Sequence, residues 1–345
     1  MAPRSSFRAR RFERAQIRNV FEFAVQVLVT GASGYIATHI VQQLLQAGYR
    51  VVATVRSLQN ETKIRPLRDL EFADERLELK EADLGDADCW LPVVAGCDYV
   101  LHVASPFPLQ DDESIIQIAV DGTLNVLRAC AKTPSGHADE DREFDENDWT
   151  NLESPKVLFY AKSKTIAEQA AWKFVEENTE NKFKLTALNP TFTMKKFLTF
   201  EVPAIPPLQM GMVDVRDVAQ AHILAMTRPE SDGERILVTQ QPSWSFRRIC
   251  TVLSEEFKPQ GYTIPFLNVP YAFVWLYSFI SVEARASLCR LNRKVVFNNE
   301  KSKKLLGLEY RDVRSSIIEM AYSIIERGIA PKKSGYKGPP SVSEK

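Results

Sequence analysis

Metal-binding chemistry is the first thing this chain lacks. Its four histidines are scattered, without the spacing of metal ligands. Its five cysteines (Cys89, Cys97, Cys130, Cys250, Cys289) form no CxxC pair. An odd set of this kind fits free thiols in a reducing compartment, the cytoplasm, and argues against a disulfide framework. Net charge is missing as well, since 44 Lys and Arg balance 44 Asp and Glu. Overall charge therefore gives no reason to expect nucleic acid or an anionic membrane as partner. A membrane-length apolar run is also absent. The 24 uncharged residues between Lys258 and Glu283 come nearest, but Pro259, Pro265, Pro270, Gln260 and Asn268 interrupt them. The apolar part, 269–280, is too short for a bilayer core of about 30 Å. Its aromatics (Tyr271, Phe273, Trp275, Tyr277, Phe279) read as pocket lining or helix packing, with shallow membrane contact as an alternative.

Acids are nearly absent from the first twenty residues, where six arginines (Arg4, Arg8, Arg10, Arg11, Arg14, Arg18) face only Glu13. This start, 1–22, reads as a disordered basic extension, or alternatively as an organelle transit peptide. The apolar centre of a secretory signal is not there.

What the chain does have is a core. At 345 residues, 45% of them hydrophobic, it can fill two domains or one large one. The stretch Val25-Gln-Val-Leu-Val-Thr-Gly-Ala-Ser-Gly-Tyr-Ile-Ala37 runs a β-branched strand into a glycine turn and then a helix. Gly31 permits the tight turn, Gly34 lets backbone approach a pyrophosphate, and small Ala37 lets helix meet strand. The first amides of that helix face an anion, favoured by the helix dipole. Further strands are predicted at 50–55, 77–80 and 99–104, and helices at 36–47 and 114–132. Alternation at this spacing predicts an α/β fold with a Rossmann-type, doubly wound parallel sheet.

The end of the second strand selects the cofactor. An acid there would hold a ribose 2′-hydroxyl, but the strand ends in Thr54-Val-Arg56, with Lys63 soon after. A guanidinium binds phosphate oxygens in pairs, so the expected cofactor is NADP(H), with solvent capping as the alternative role for Arg56. Further on, Tyr160-Ala-Lys-Ser-Lys164 opens a helix that extends to about 177. Positions i and i+4 share a face, which puts Tyr160 and Lys164 side by side. The ammonium and a cationic nicotinamide are expected to lower the phenol pKa from about 10. Tyr160 then exchanges a proton with a substrate oxygen, with an exposed helix start as the alternative reading of the pair.

These residues, with Ala82-Asp83-Leu84, His102-Val-Ala-Ser-Pro-Phe107, Asp121-Gly-Thr-Leu-Asn-Val126 and Val213-Asp-Val-Arg-Asp-Val-Ala219, resemble the extended short-chain dehydrogenase/reductases. The branch is that of the dihydroflavonol and cinnamoyl-CoA reductases, and the likeness spans about 25–330. It implies cofactor contacts at Gly31, Ser33, Gly34, Tyr35, Ile36 and Pro190, and 2′-phosphate contacts at Arg56 and Lys63. Asp83 and Leu84 would meet the adenine, and Val103, Ala104 and Ser105 would lie along the cofactor. Tyr160 and Lys164 would be the catalytic pair and cofactor contacts as well, with Lys164 reaching the nicotinamide ribose. It also implies a cofactor domain at 23–190 to which 213–239 returns, a smaller C-terminal substrate domain at 191–212 and 240–330, and a tail at 331–345. The substrate would be a small carbonyl or alcohol compound, for which Trp244, Phe246, Tyr271 and Trp275 suit a bulky or planar molecule, with core packing as the alternative.

The chain departs from that pattern twice. The family's fifth strand, which ends in a catalytic serine, has no apolar counterpart between 132 and 155. Instead come Thr-Pro-Ser-Gly-His137 and an acidic loop, 139–148, with seven carboxylates. The run Val157-Leu-Phe159 is short for a substitute strand. A missing inner strand leaves backbone groups unpaired, at about 1–3 kcal/mol each when buried. The second departure follows Pro190, where the family's loop over the nicotinamide is replaced by Thr191-Phe-Thr-Met-Lys-Lys196. Both gaps fall at the active site, the pattern of a shortened variant. Ser135 and Ser105 are the candidate replacement donors, and a cofactor-binding protein without turnover is the alternative function.

Overall fold

The computed structural model describes residues 25–106, 114–130, 146, 149–150, 152–153, 159–178, 183–191, 205–279, 288, 291–292 and 295–339. The arginines of the N-terminal extension, Ser135, most of the acidic loop, Val157, Leu158 and the segment after Thr191 lie outside the described residues, as does the end of the tail.

Strand β1 (Gln26–Val29) leads through the glycine turn into α1 (Tyr35–Gln46), and β2 (Arg50–Val55) follows. Helices α2 (Glu61–Arg68) and α3 (Ala73–Arg76) precede β3 (Leu77–Glu81), and α4 (Trp90–Val94) precedes β4 (Tyr99–Leu101). These strands pair in parallel in the order β3-β2-β1-β4, the first half of a dinucleotide-binding sheet. Alternation along the strands feeds two cores. Val27 and Val29 pack with Ile40, Leu44 and Ala219 on one face; Leu28 and Val52 pack with Trp90 and Val126 on the other. Being apolar on both sides is what a parallel strand covered by helices on each face requires.

Strand β4 is shorter than its sequence predicts, ending at Leu101 rather than Ala104. The physical reason lies on its outer edge. Among the described residues no strand pairs there, and Tyr99 is exposed while Val100 and Leu101 are half-buried. Helices α5 (Ser114–Cys130) and α6 (Phe159–Glu177) then pack against each other. Phe159 is the first residue of α6, so it is no part of a substitute strand.

The chain returns in β5 (Ala187–Pro190), β6 (Gln209–Met212) and α7 (Val215–Thr227), then β7 (Arg235–Val238) and β8 (Gln240–Ser245). Strand β5 pairs β7 in parallel, apart from the four-stranded sheet. Among the described residues, β5 pairs with none of the strands of the four-stranded sheet. Helix α7 docks on α1, where Gln43 Nε2 donates to the Arg216 carbonyl at 3.0 Å. Antiparallel β6 and β8 join α8 (Phe246–Phe257), α9 (Tyr271–Tyr277) and helices Glu300–Leu306 and Val313–Glu326. There Trp244 and Phe246 are core residues with Ile249, Phe257 and Ile317, which is the packing role. The aromatics of α9 do form a helix, but Val274 is its one buried residue among the described ones. Tyr271, Phe273, Trp275 and Tyr277 are exposed.

Candidate active site

The glycine turn is held between the ends of β2 and β4. Gly31 N–H donates to Thr54 Oγ1 at 3.1 Å, Ala32 N–H to the Thr54 carbonyl at 2.8 Å, and Thr30 N–H to the Leu101 carbonyl at 3.1 Å. Gly31 has φ +65°, and a Cβ there would stand 2.9 Å from Ala104 Cα. Gly34 caps α1 without any side-chain bond, and no acid sits in the first turn. The leading amides of a twelve-residue helix therefore have no side chain of their own to satisfy them, and an anion is their natural partner. Ser33 is half-buried and Tyr35 exposed at this opening, with Ile36 half-buried beneath. These features fit the pyrophosphate of a dinucleotide.

Thr30 ties the turn to the loop after β4. Its Oγ1 accepts from Val103 N–H at 3.1 Å and Ala104 N–H at 3.0 Å, and lies 2.9 Å from His102 Nδ1. A hydroxyl has two acceptor positions and one proton. The two amides fill the first, so the Thr30 proton goes to Nδ1 and the imidazole carries its own on Nε2. Burial, and then the charge of Lys164, holds the His102 pKa down at about 4.

Helix α6 brings the catalytic candidates to this loop. Lys164 Nζ donates to Ser105 Oγ, and to the Pro106 carbonyl at 3.4 Å. The same ammonium lies 4.9 Å from the centre of the Tyr160 ring. Burial lowers the Lys164 pKa to about 8 and raises that of Tyr160. The expected lowering of the phenol is thus not found in the free protein. The ammonium lies over the ring face, and burial alone sets the direction of the shift.

The remaining candidates sit further along the strand ends. Arg56 and Lys63 are exposed. Asp83 Oδ1 accepts from Gly85 N–H at 2.8 Å, and the Leu84 carbonyl accepts from Asn125 Nδ2 at 3.0 Å. Pro190 ends β5 opposite Val238. Hydrogen bonds join Ser105 to Lys164, and Val103 and Ala104 to the glycine turn; they do not join either group to Arg56, Lys63 or Pro190.

Sequence reasoning missed three residues that build the site. Thr30, Thr54 and His102 occupy strand ends within the quoted motifs but without an assigned role, because what a threonine or histidine does there depends on its partner. It also missed Glu81, which pairs opposite Val55 and accepts from Leu58 N–H at 2.5 Å, near Arg56. In the sequence Glu146 is one of seven acids in the run 139–148. It is 6% exposed, and its Oε1 accepts from Leu237 N–H at 2.8 Å.

A half-Rossmann sheet, an uncapped glycine turn and a YxxxK helix beside it define a dinucleotide-binding oxidoreductase of the short-chain type. Comparison with known proteins narrows the class. Residues 27–191 match the NAD dependent epimerase/dehydratase family. The chain is 32% identical to tetraketide alpha-pyrone reductase 1 of Arabidopsis thaliana, over 88% of its own length and 96% of the relative's. It is 33% identical to a cinnamoyl-CoA reductase of Medicago truncatula, over 88% and 97%. Among solved structures, yeast methylglyoxal/isovaleraldehyde reductase Gre2 complexed with NADPH superposes with a TM-score of 0.68 at 27% identity, covering 88% of this chain and 99% of that one. The chain belongs to the NAD dependent epimerase/dehydratase family, among its short-chain reductases.

Proposed function

We propose that this protein reduces the carbonyl group of a small organic molecule at the expense of NADPH. The observation that carries the reading is the convergence of Tyr160, Lys164 and Ser105 on the loop that Thr30 fastens to the glycine turn. Gly31, Ser33, Gly34, Tyr35 and Ile36 would hold the pyrophosphate, Arg56 and Lys63 the 2′-phosphate, and Asp83 and Leu84 the adenine. When bound, NADPH supplies the hydride. Tyr160 delivers the phenolic proton to the carbonyl oxygen, and Lys164, one helical turn on, stabilises the phenolate left behind. That the relatives are reductases by name supports turnover over cofactor binding alone.

On this reading 23–190 with 213–239 serve the cofactor, and 191–212 with 240–330 the substrate. The partner is a small molecule, not a nucleic acid. Free thiols at Cys89, Cys97 and Cys250 support residence in the cytoplasm. Among the described residues no helix is long and apolar enough to cross a membrane.

The test is NADPH consumption over methylglyoxal, isovaleraldehyde, cinnamoyl-CoA and a dihydroflavonol, for the natural chain and Tyr160→Phe. Removing the phenolic proton should slow turnover by about 10²–10⁴-fold. Turnover that survives the substitution rules Tyr160 out as the acid.

A further inference from the structure

In the family the carbonyl oxygen is met by a second hydroxyl, on a strand for which this chain has no apolar counterpart. Among the described residues, the hydrogen bonds decide which hydroxyl around Tyr160, Lys164 and the loop after β4 is left to do that work. Ser163 is fully buried and spends its proton on the Tyr160 carbonyl at 2.8 Å. Thr30 is fully buried too, with both acceptor positions and its proton engaged. Ser105 differs from both. It is exposed, and its recorded partner is Lys164 Nζ.

The chemistry of that contact fixes its direction. An ammonium has three protons and no acceptor, so Ser105 Oγ must be the acceptor and its own proton must point elsewhere. Accepting a charge-assisted bond polarises the hydroxyl and makes it a stronger donor. The segment is also held in place from behind, because the Val103 and Ala104 amides are anchored on Thr30 Oγ1. The ammonium that Ser105 accepts from also lies 4.9 Å from the Tyr160 ring centre, and a fixed, polarised donor on that side of the proton-donating tyrosine is what stabilises a developing oxyanion, an effect worth about 10²–10³ in rate.

We propose that Ser105 replaces the strand serine: accepting from Lys164 Nζ, it donates its hydroxyl proton in a hydrogen bond to the substrate carbonyl oxygen. The oxygen gains negative charge as the carbonyl π bond opens and takes its proton from Tyr160; Ser105 donates only a hydrogen bond and keeps its proton. This inference rests on the reductase reading.

The experiment uses the full chain and its Ser105→Ala, Ser105→Thr and Ser135→Ala variants. Three quantities are read: steady-state NADPH consumption with isovaleraldehyde and methylglyoxal, NADPH affinity by fluorescence, and the titration of Lys164 by NMR of isotopically dimethylated lysines in the cofactor-free protein. Ser105→Ala should lower kcat by about 10²–10³-fold, with KM and the NADPH Kd changed by less than about threefold. The Lys164 titration should move in the same variant, because its acceptor is gone. Ser105→Thr should recover kcat to within about tenfold of the natural chain, and Ser135→Ala should match it. A Ser105→Ala enzyme with unchanged kcat, or one whose loss follows lost NADPH binding, overturns the inference while leaving the reductase reading intact. A natural chain that binds NADPH and reduces none of the carbonyls overturns both. If the alanine variant fails to melt cooperatively, the threonine variant decides: kcat below about a tenth of natural overturns the inference.

Discussion

Thr30 Oγ1 donates to His102 Nδ1 at 2.9 Å, and this bond, with those that Oγ1 accepts from the Val103 and Ala104 amides, links the end of β1 to the loop that carries Ser105. It also fixes the imidazole as the Nε2–H tautomer. With a folded pKa of about 4 against 6.5 unfolded, the ring stays neutral through the physiological range. Between those values the unfolded chain binds the extra proton. Stability from this group is therefore full above pH 6.5 and is lost as pH falls toward about 4. The expected loss is up to about 3 kcal/mol. Nitrogen-15 NMR should show Nδ1 unprotonated at neutral pH, and His102→Gln should flatten the stability profile between pH 4 and 6.5. A His102 that titrates near 6.5 would refute the assignment.

Gly31 cannot be replaced without strain. Its φ of +65° disfavours a side chain, and the Cβ would press on the backbone of Ala104 at 2.9 Å. Gly31→Ala should cost about 1–3 kcal/mol and weaken NADPH binding, because the turn and the 103–105 loop move together. Gly48→Ala is the comparison. It shares a positive φ, +93°, but has open space where the Cβ would go. Urea unfolding of both variants separates backbone strain from collision; equal losses would mean that the Ala104 contact contributes nothing.

Much of this was legible in the sequence, for a physical reason. A buried parallel strand must be apolar on both faces, so β1 and β2 announce themselves, and the glycine turn between β1 and α1 can be built from few residue types. The i, i+4 spacing of Tyr160 and Lys164 likewise needs only a helix. What escaped depends on partners far apart in sequence. Ser105 meets Lys164 across 59 positions, and Glu146 meets Leu237 across 91. The early end of β4 was illegible because strand length depends on a neighbour, and Val103 and Ala104, apolar enough to extend it, turn their amides to Thr30 instead.

Glu146 carries a third stability prediction. Strand β7 pairs β5 through one edge, and on the other Leu237 N–H is satisfied by a side chain, Glu146 Oε1. Arg235 donates to the Glu146 carbonyl and stacks on Trp149, with Cζ 3.8 Å from the ring centre. Glu146→Ala leaves the buried Leu237 amide without that acceptor, at about 1–3 kcal/mol. Glu146→Gln keeps an acceptor of similar shape and should cost less. Thermal melts of the two variants give the comparison. An alanine variant as stable as the natural chain would show that water serves the amide equally well.

Cofactor preference should follow from the end of β2. Arg56 and Lys63 are exposed, and among the described residues neither is engaged in an ion pair with a carboxylate. Glu81, the acid nearest in the sheet, is already bonded to Leu58 N–H. Two unengaged cations beside a committed acid favour a 2′-phosphate over a 2′-hydroxyl, since the hydroxyl would leave both charges without a partner. A charge-assisted bond to phosphate contributes about 1.5–3 kcal/mol, or roughly 10- to 100-fold in affinity. Arg56→Ala should weaken NADPH by that factor and leave NADH within about twofold. Arg56→Glu should go further, because a new carboxylate repels the phosphate and can accept from a ribose hydroxyl. Thermal melts with each cofactor make the measurement. A ligand at a hundred times its dissociation constant adds about 2.7 kcal/mol, enough to register as a shift in Tm. If NADPH and NADH raise the Tm of the natural chain equally, Arg56 is a solvent-facing strand cap and the preference lies elsewhere.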